Sequence, residues 1–256
     1  MIAGLLVILG VLLGVTLGLV GGGGSVLGVP ILVYVAGVPV TEAIVITLVV
    51  LAVAGLVGVW IERKSGHIHY KATMVFGLSG AIGASAGSIF TSKVHESILL
   101  LLIAVIMVIS GIAVMRSREK SSPINRLKVV PPCRWIRCGS IGLLVGFLTG
   151  FVGVGGGVLL VPAMTLFANL PFRIATQTSL AVITINASFG FLGHLHSKID
   201  WPLTIGFMVV VVVGLIVGLA SRSKVSVQSL RIYFASLMIL IAITLMGNLL
   251  VNSLSG

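Results

Sequence analysis

Residues 14–30 read GVTLGLVGGGGSVLGVP, and residues 146–162 read GFLTGFVGVGGGVLLVP. The two stretches lie 132 positions apart and agree at ten of seventeen places, from Gly14/Gly146 to Pro30/Pro162. Glycine is the poorest helix former after proline, so a cluster of glycines ends or breaks a helix. Both clusters sit inside strongly apolar sequence. Irregular backbone in an apolar setting is tolerated only where protein buries it or a cavity receives it. A break made twice at equivalent places therefore needs a use, and the best physical one is a binding site made of main chain.

Outward from the glycines, the chain of 256 residues is 58% hydrophobic and 8% charged, with a mean hydropathy of +1.26. A soluble domain could not cover its surface with that balance. The stretches 43–61, 72–90, 98–115, 203–220 and 232–251 approach or exceed the roughly 20 apolar residues that span a bilayer. They are continuous rather than alternating, which excludes a β-barrel. The expected class is an all-α polytopic membrane protein with about 8–10 membrane segments. The opening segment has no positively charged start and has a counterpart in mid-chain at 141–152, so it reads as a mature membrane segment rather than a signal peptide.

The repeat extends beyond the glycines. Pro39 aligns with Pro171, Thr47-Leu48 with Ser179-Leu180, and Gly58 with Gly190. After a one-residue slip, Gly83 and Gly87 align with Gly214 and Gly218, and Met107 with Met238. This predicts a first transmembrane repeat over residues 1–116, a basic linker over 117–137 and a second repeat over 138–256. Each repeat holds an opening segment, the glycine break, a short apolar piece (26–36 and 158–168) and three ordinary spans. Eleven residues of helix cover about 16 Å, roughly half of a ~30 Å hydrocarbon core.

The break can therefore form a hairpin with both ends on one side, or its two pieces can make one crossing. Positive charge separates the two arrangements. With the linker inside, the hairpin puts 14 Lys and Arg inside against 2 outside, whereas the single crossing gives 11 against 5. The positive-inside rule favours the hairpin, and with it two inverted repeats and both termini outside.

The same charges explain the net +11 without a nucleic-acid partner, since the largest basic cluster lies in the linker. Cys133 and Cys138 have no His or Cys companions for a metal, and a cytoplasmic linker argues against a structural disulfide. The five acidic residues, Glu42, Glu62, Glu96, Glu119 and Asp200, all fall at segment ends or in loops, so no buried carboxylate relay is visible. His67/His69 and His194/His196 read as interfacial side chains, with pH-sensitive gating as the other option. Ser25 lies in a glycine-rich turn, but no His or Asp at depth could activate it. No catalytic residue, metal or cofactor is expected.

The glycine breaks supply the candidate site. Gly21, Gly23, Gly24 and Ser25 in the first copy, and Gly153, Gly155, Gly156 and Gly157 in the second, offer successive N–H groups as an anion nest. Pro30 and Pro162 suit the first turn of a half-helix, which puts the half-helix starts near Val29 and Val161. Each start carries partial positive charge. The two breaks are expected to enter from opposite faces and meet near the middle. Gly14/Gly18, Gly83/Gly87 and Gly214/Gly218 read as helix-packing pairs instead.

Side chains from the polar run 176–188 complete the site: Gln177, Thr178, Ser179 and Asn186, with Thr47 as the first-repeat equivalent of Ser179. Neutral donors suit an anion that must be released. The first repeat offers fewer of them, so the two sides of the site are unequal.

The pattern G-x2-G-x-GG(G)-x-L-x-VP, present at residues 18–30 and 150–162 around a basic central linker, resembles the TauE/SafE family of membrane proteins. The copies differ at Gly22/Val154 and Ser25/Gly157. The resemblance implies transport of small sulfur-containing anions, with sulfite, sulfoacetate and related organosulfonates as substrates. The leading expectation is thus a secondary exporter of such an anion in the plasma membrane, the bacterial or archaeal inner membrane, working by alternating access. Its partners would be the anion and the lipid bilayer, with a homodimer as an open arrangement. An anion channel with re-entrant half-helices is the alternative, and an intramembrane enzyme a weaker one. That substrate list comes from the resemblance and not from the residues themselves.

Overall fold

A computed structural model describes residues 2–63, 69–91, 94, 96–116, 135–152, 157–168, 170–194, 199–222 and scattered positions from 225 to 247. Every regular element among them is helical. Helix α1 (Ile2–Val20) leads into a 3-10 turn (Gly22–Leu27) and the short α2 (Gly28–Tyr34). Then come α3 (Val40–Glu62), α4 (Tyr70–Thr91) and α5 (Glu96–Arg116). The second half holds α6 (Trp135–Val152), α7 (Gly157–Phe167), α8 (Phe172–Leu192) and α9 (Trp201–Ser221). The predicted spans 43–61, 72–90, 98–115 and 203–220 fall within α3, α4, α5 and α9. The span 232–251 lies largely outside the described residues. Four of the described helices, α1, α3, α4 and α9, are long and apolar enough to cross a membrane.

The duplication read from sequence recurs in local geometry. Pro39 (φ −54°, ψ 145°) and Pro171 (φ −53°, ψ 141°) stand immediately before α3 and α8 in the same conformation. Their carbonyls accept the first helical bonds from Ala43 and Ala175, each at 2.9 Å. Both short helices end the same way. The Val38 N–H donates to the Leu32 carbonyl (3.2 Å), and the Leu170 N–H to that of Met164 (3.1 Å). In the first copy Gly37 supplies the left-handed residue (φ +68°) that such a six-residue cap requires.

The two short helices start differently. Helix α2 begins at Gly28, with Pro30 in its first turn as expected, whereas α7 begins at Gly157 and carries Pro162 inside. The first copy spends Gly22–Leu27 in 3-10 winding before regular α geometry sets in. The second is helical earlier and tolerates the one ladder bond that a proline cannot make.

Glycine seams hold the halves together. Helix α1 packs along α9, and α6 along α4. A Cβ on Gly18 would lie 2.5 Å from the Leu215 carbonyl oxygen and 2.7 Å from the Leu219 nitrogen. One on Gly83 would run into the Leu143 carbonyl and sit 2.7 Å from the Phe147 nitrogen. One on Gly146 would meet the backbone of Gly80. Backbones this close exclude any side chain and gain dispersion along the whole contact, which is the role read for the G-x3-G pairs.

Among the long helices described, α8 is the most enclosed, packed by α3, α4, α6, α7 and the 3-10 turn. Each of its side chains from Ile174 to Thr184 is buried. Helices α3 and α8 run antiparallel: Glu62 meets Gln177, Gly58 faces Leu180, Gly55 faces Thr184 and Gly190 faces Leu48. Leu56, Met74, Leu78, Ile82 and Val209 project outward instead, as lipid-facing side chains do.

The bundle has chemically distinct ends. Glu62 and Arg63, Tyr70 and Lys71, Cys138, Arg173 and Arg222 lie at one of them, called here the basic end. Glu42 and Asp200 meet at the other, where the Asp200 N–H donates to Glu42 Oε1 (3.0 Å). Cys138 is buried and held in a disulfide, contrary to the expectation of reduced thiols in the linker region. Of the predicted linker 117–137, residues 117–134 lie outside the described residues, and Trp135–Arg137 already belong to α6.

Candidate functional site

The first glycine break closes against α8. Gly21 has φ +73° and ψ −132°, a conformation closed to ordinary L residues. A Cβ there would also run into the Thr176 carbonyl and sit 2.7 Å from Ser179 Oγ. The next residue, Gly22, donates its N–H to Ser179 Oγ at 3.1 Å. The Ser179 hydroxyl donates in turn to the Thr176 carbonyl at 2.9 Å. Ser25 tightens the turn from within, donating to the Gly22 carbonyl at 2.7 Å.

Gly24 backs onto α1, where a Cβ would lie 2.6 Å from both the Leu17 nitrogen and Thr16 Oγ1. The chain after Gly21 is therefore laid back against α1, and Gly24 is used for packing. Gly23 lies within the same turn. At the far end of the segment, a Cβ on Gly28 would sit 2.5 Å from Thr47 Cγ2. Thr47 and Ser179, paired by the repeat, thus both touch the first broken segment, one near each end of it. The 3-10 turn also packs on α7, the short helix of the other half.

Gly153, Gly155 and Gly156 lie outside the described residues, and Gly157 is the first residue of α7. The approach to them is visible. Thr91 Oγ1 donates to the Phe151 carbonyl (2.9 Å) and to that of Gly150 (3.3 Å), which pins the end of α6. Gly150 also lies beside Gly190, late in α8. Gly21, by contrast, meets α8 in its second turn. Ser179 and Gly190 are separated by about 16 Å along the helix. The approaches to the two breaks therefore flank the central part of α8, from opposite ends, rather than converging on one point.

The polar run of α8 divides sharply by partner. Ser179, Thr184 and Ser188 donate to carbonyls three or four residues back, as hydroxyls in helices commonly do. Thr47 does the same on α3, bonding Ala43 at 2.7 Å. Thr178 Oγ1 accepts from the His69 N–H (3.1 Å), and His69 Nδ1 accepts from the Ala72 N–H (3.1 Å), capping α4. Asn186 differs. Its residue is 0% exposed, a Cβ on Gly80 would touch its amide, and neither amide atom has a hydrogen-bond partner among the described residues.

Sequence reasoning missed the charged cluster at the basic end. Arg222, one residue past α9, is 6% exposed. Its Nη2 donates to Thr176 Oγ1, and to the Arg173 carbonyl at 3.5 Å, while Nη1 lies 3.8 Å from Glu62 Oε1. Gln177 Nε2 donates to Glu62 Oε2 at 2.6 Å. Burial pushes the Arg222 guanidinium down to about 10; Glu62 opposes that shift and Arg173 adds to it, so the group stays charged at neutral pH. Glu62 and Arg222 bound apolar spans in the sequence, a position that reads as interface. Only their convergence on α8 encloses them.

His194, at the other end of α8, places Nδ1 3.1 Å from the Gly190 carbonyl, an arrangement that requires the proton on Nδ1. His67 and His196 lie outside the described residues. Among the described residues no three His, Cys, Asp or Glu side chains gather as a metal would need.

Comparison with known proteins gives a consistent assignment. Residues 6–245 match the sulfite exporter TauE/SafE family. A probable membrane transporter protein of Xylella fastidiosa (strain Temecula1) is 32% identical over 242 residues, covering 91% of each chain. Bacillus subtilis YunE, also named a probable membrane transporter protein, is 26% identical over 93% of this chain and 94% of its own. MJ0441 of Methanocaldococcus jannaschii, with the same description, is 24% identical over 91% of each. No solved structure matches the chain.

Proposed function

The chain belongs to the sulfite exporter TauE/SafE family, and on that premise we propose that it exports a small sulfur-containing anion, sulfite or an organosulfonate, by alternating access. That it is a multi-pass membrane transporter follows from the family, the bacterial and archaeal relatives and the apolar helices. The observation that carries the anion reading is Asn186. A buried amide without a partner costs about 1–3 kcal/mol. Asn186 keeps such an amide in the enclosed part of α8, between the two glycine approaches. An oxyanion accepting from Nδ2 would recover that cost on binding, and a neutral donor would let it go again. An inside-negative potential already favours anion export by about 2.3 kcal/mol per charge per 100 mV, so coupling to another ion is not required energetically.

The inverted-repeat topology belongs to the same proposal. Two observations support it: the equivalent helices α3 and α8 run antiparallel, and Arg63, Arg173 and Arg222 share one end of the bundle. A single crossing at each break would put Glu62 and Arg222 on opposite sides of the membrane, against their 3.8 Å approach. The basic end then faces the cytoplasm. The disulfide at Cys138 pulls the other way, because disulfides persist on oxidising sides.

Sulfite efflux from loaded proteoliposomes tests the function. Saturable efflux accelerated by external sulfite is the expected result. Efflux that never saturates and shows no counterflow identifies a channel. Absence of flux for sulfite and for sulfoacetate removes the substrate assignment.

A further inference from the structure

We propose that Arg222, Thr176 and Gln177 form a second oxyanion subsite at the basic end of α8, with the Glu62 carboxylate as its resident competitor. The proposal rests on the reading of the chain as an anion transporter and gives that transporter a loading position.

The geometry is that of a held place. Glu62 Oε2 is bonded tightly to the Gln177 amide at 2.6 Å, yet Oε1 stays 3.8 Å from Arg222 Nη1. A committed Arg–carboxylate bond measures about 2.7–2.9 Å. Nη1 makes no hydrogen bond among the described residues, although Arg222 is 6% exposed. A buried guanidinium with an unused donor is costly, and a multidentate oxyanion is the ligand its fork fits. Glu62 offers two acceptor oxygens to the same donors, so it imitates such a ligand and competes with it.

Local charge agrees. Arg222 is acted on by the Arg173 guanidinium as well as by the Glu62 carboxylate, so a second cation stands near the proposed subsite. Arg63, the next residue after Glu62, turns away, its guanidinium 5.0 Å above the Trp60 ring.

Position gives the subsite its use. The Thr176 hydroxyl accepts from Arg222, while the carbonyl of the same residue accepts from Ser179 and packs on Gly21. One turn of α8 therefore joins the subsite to the first glycine break. An anion arriving at the basic end meets Arg222 before it reaches Gly22 or Asn186. The ligand class is a small pyramidal or tetrahedral oxyanion, including sulfonates, sulfite and sulfate.

Methanesulfonate is a suitable probe, followed by calorimetry on the purified full-length protein at one pH and low salt. Glu62→Gln should bind it about tenfold tighter than wild type, the order expected when one competing charge is removed. Glu62→Asp, with its carboxylate drawn back, should fall between them, and Arg222→Gln should bind at least about tenfold more weakly than wild type. Removing Arg222 alone takes one cationic partner from Glu62, so E62Q/R222Q serves as the second variant. It should melt near wild type and lose the tight, Arg222-dependent binding, keeping no more than the weak binding of the Asn186 position.

Unchanged or weaker affinity in a folded Glu62→Gln protein overturns the subsite. So does tight binding by E62Q/R222Q, or no binding by any variant. Wild-type sulfite efflux, measured in parallel, separates the two failures. Efflux without the Glu62 effect sinks the subsite alone, whereas absent efflux sinks the transport reading beneath it.

Discussion

Ser179 on α8 accepts a 3.1 Å hydrogen bond from the Gly22 N–H, across 157 positions of sequence. That bond ties the glycine break of the first half to the central helix of the second. It also uses the Gly22 N–H, which stands between the Gly21 and Gly23 positions named for the anion nest.

Loss of that hydroxyl should therefore separate stability from transport. Ser179→Ala strands a buried donor and should cost about 1–2 kcal/mol by thermal unfolding, with efflux slowed rather than abolished. Gly21→Ala should be worse on both counts, because it adds strain at φ +73° to a collision with the Thr176 carbonyl. Wild-type melting of Gly21→Ala would contradict the described turn.

Asn186 should behave in the opposite way. Asn186→Ala deletes two unpartnered polar atoms, so stability should change by less than about 1 kcal/mol or rise. Sulfite efflux should nevertheless fall at least about tenfold, the loss of one ligand bond worth roughly 1.4 kcal/mol. A stable variant with normal efflux would show that the amide is not a substrate contact.

The glycine seams predict a contrast between glycines inside a helix contact and glycines outside one. Gly146→Ala drives a methyl into the Gly80 backbone and should cost about 1–3 kcal/mol in detergent unfolding. Gly206→Ala meets nothing within 4 Å and should be neutral or stabilising by about 0.5–1 kcal/mol. Equal effects would mean that α4 and α6 are not in backbone contact.

Topology is open to cysteine labelling after Cys133 and Cys138 are replaced by serine. Cysteines introduced at Arg63 and Arg173 should react from the same side, the cytoplasmic one, and a cysteine at the exposed Trp201 from the other. Opposite sidedness for Arg63 and Arg173 would restore the single-crossing arrangement. A shared periplasmic side would keep the inverted repeat and agree with the Cys138 disulfide.

Much of this molecule was legible in its residues. The spans α3, α4, α5 and α9 appear in sequence as unbroken apolar runs, and the duplicated Pro39 and Pro171 mark helix starts because a proline conformation is local. The G-x3-G pairs were readable as seams, since spacing alone puts small residues on one helix face. The start of α7 was misjudged from Pro162, because a proline removes one ladder bond and does not decide where the ladder begins.

The polar run of α8 was visible as composition, but its division of labour was not. Ser179, Thr184 and Ser188 satisfy themselves within a turn, whereas the enclosed Asn186 amide makes no hydrogen bond among the described residues. That enclosure exists only after α3, α4 and α6 have packed around α8.

By itself, then, the sequence determined a helical membrane protein made of two related halves, because apolar length, glycine clusters and repeat spacing act within a few turns of the chain. Tertiary structure alone decided that Glu62 meets Gln177, 115 positions away, and that Arg222 is buried beside them. Burial and pairing of a charge depend on which distant helices surround it, and no local pattern records that.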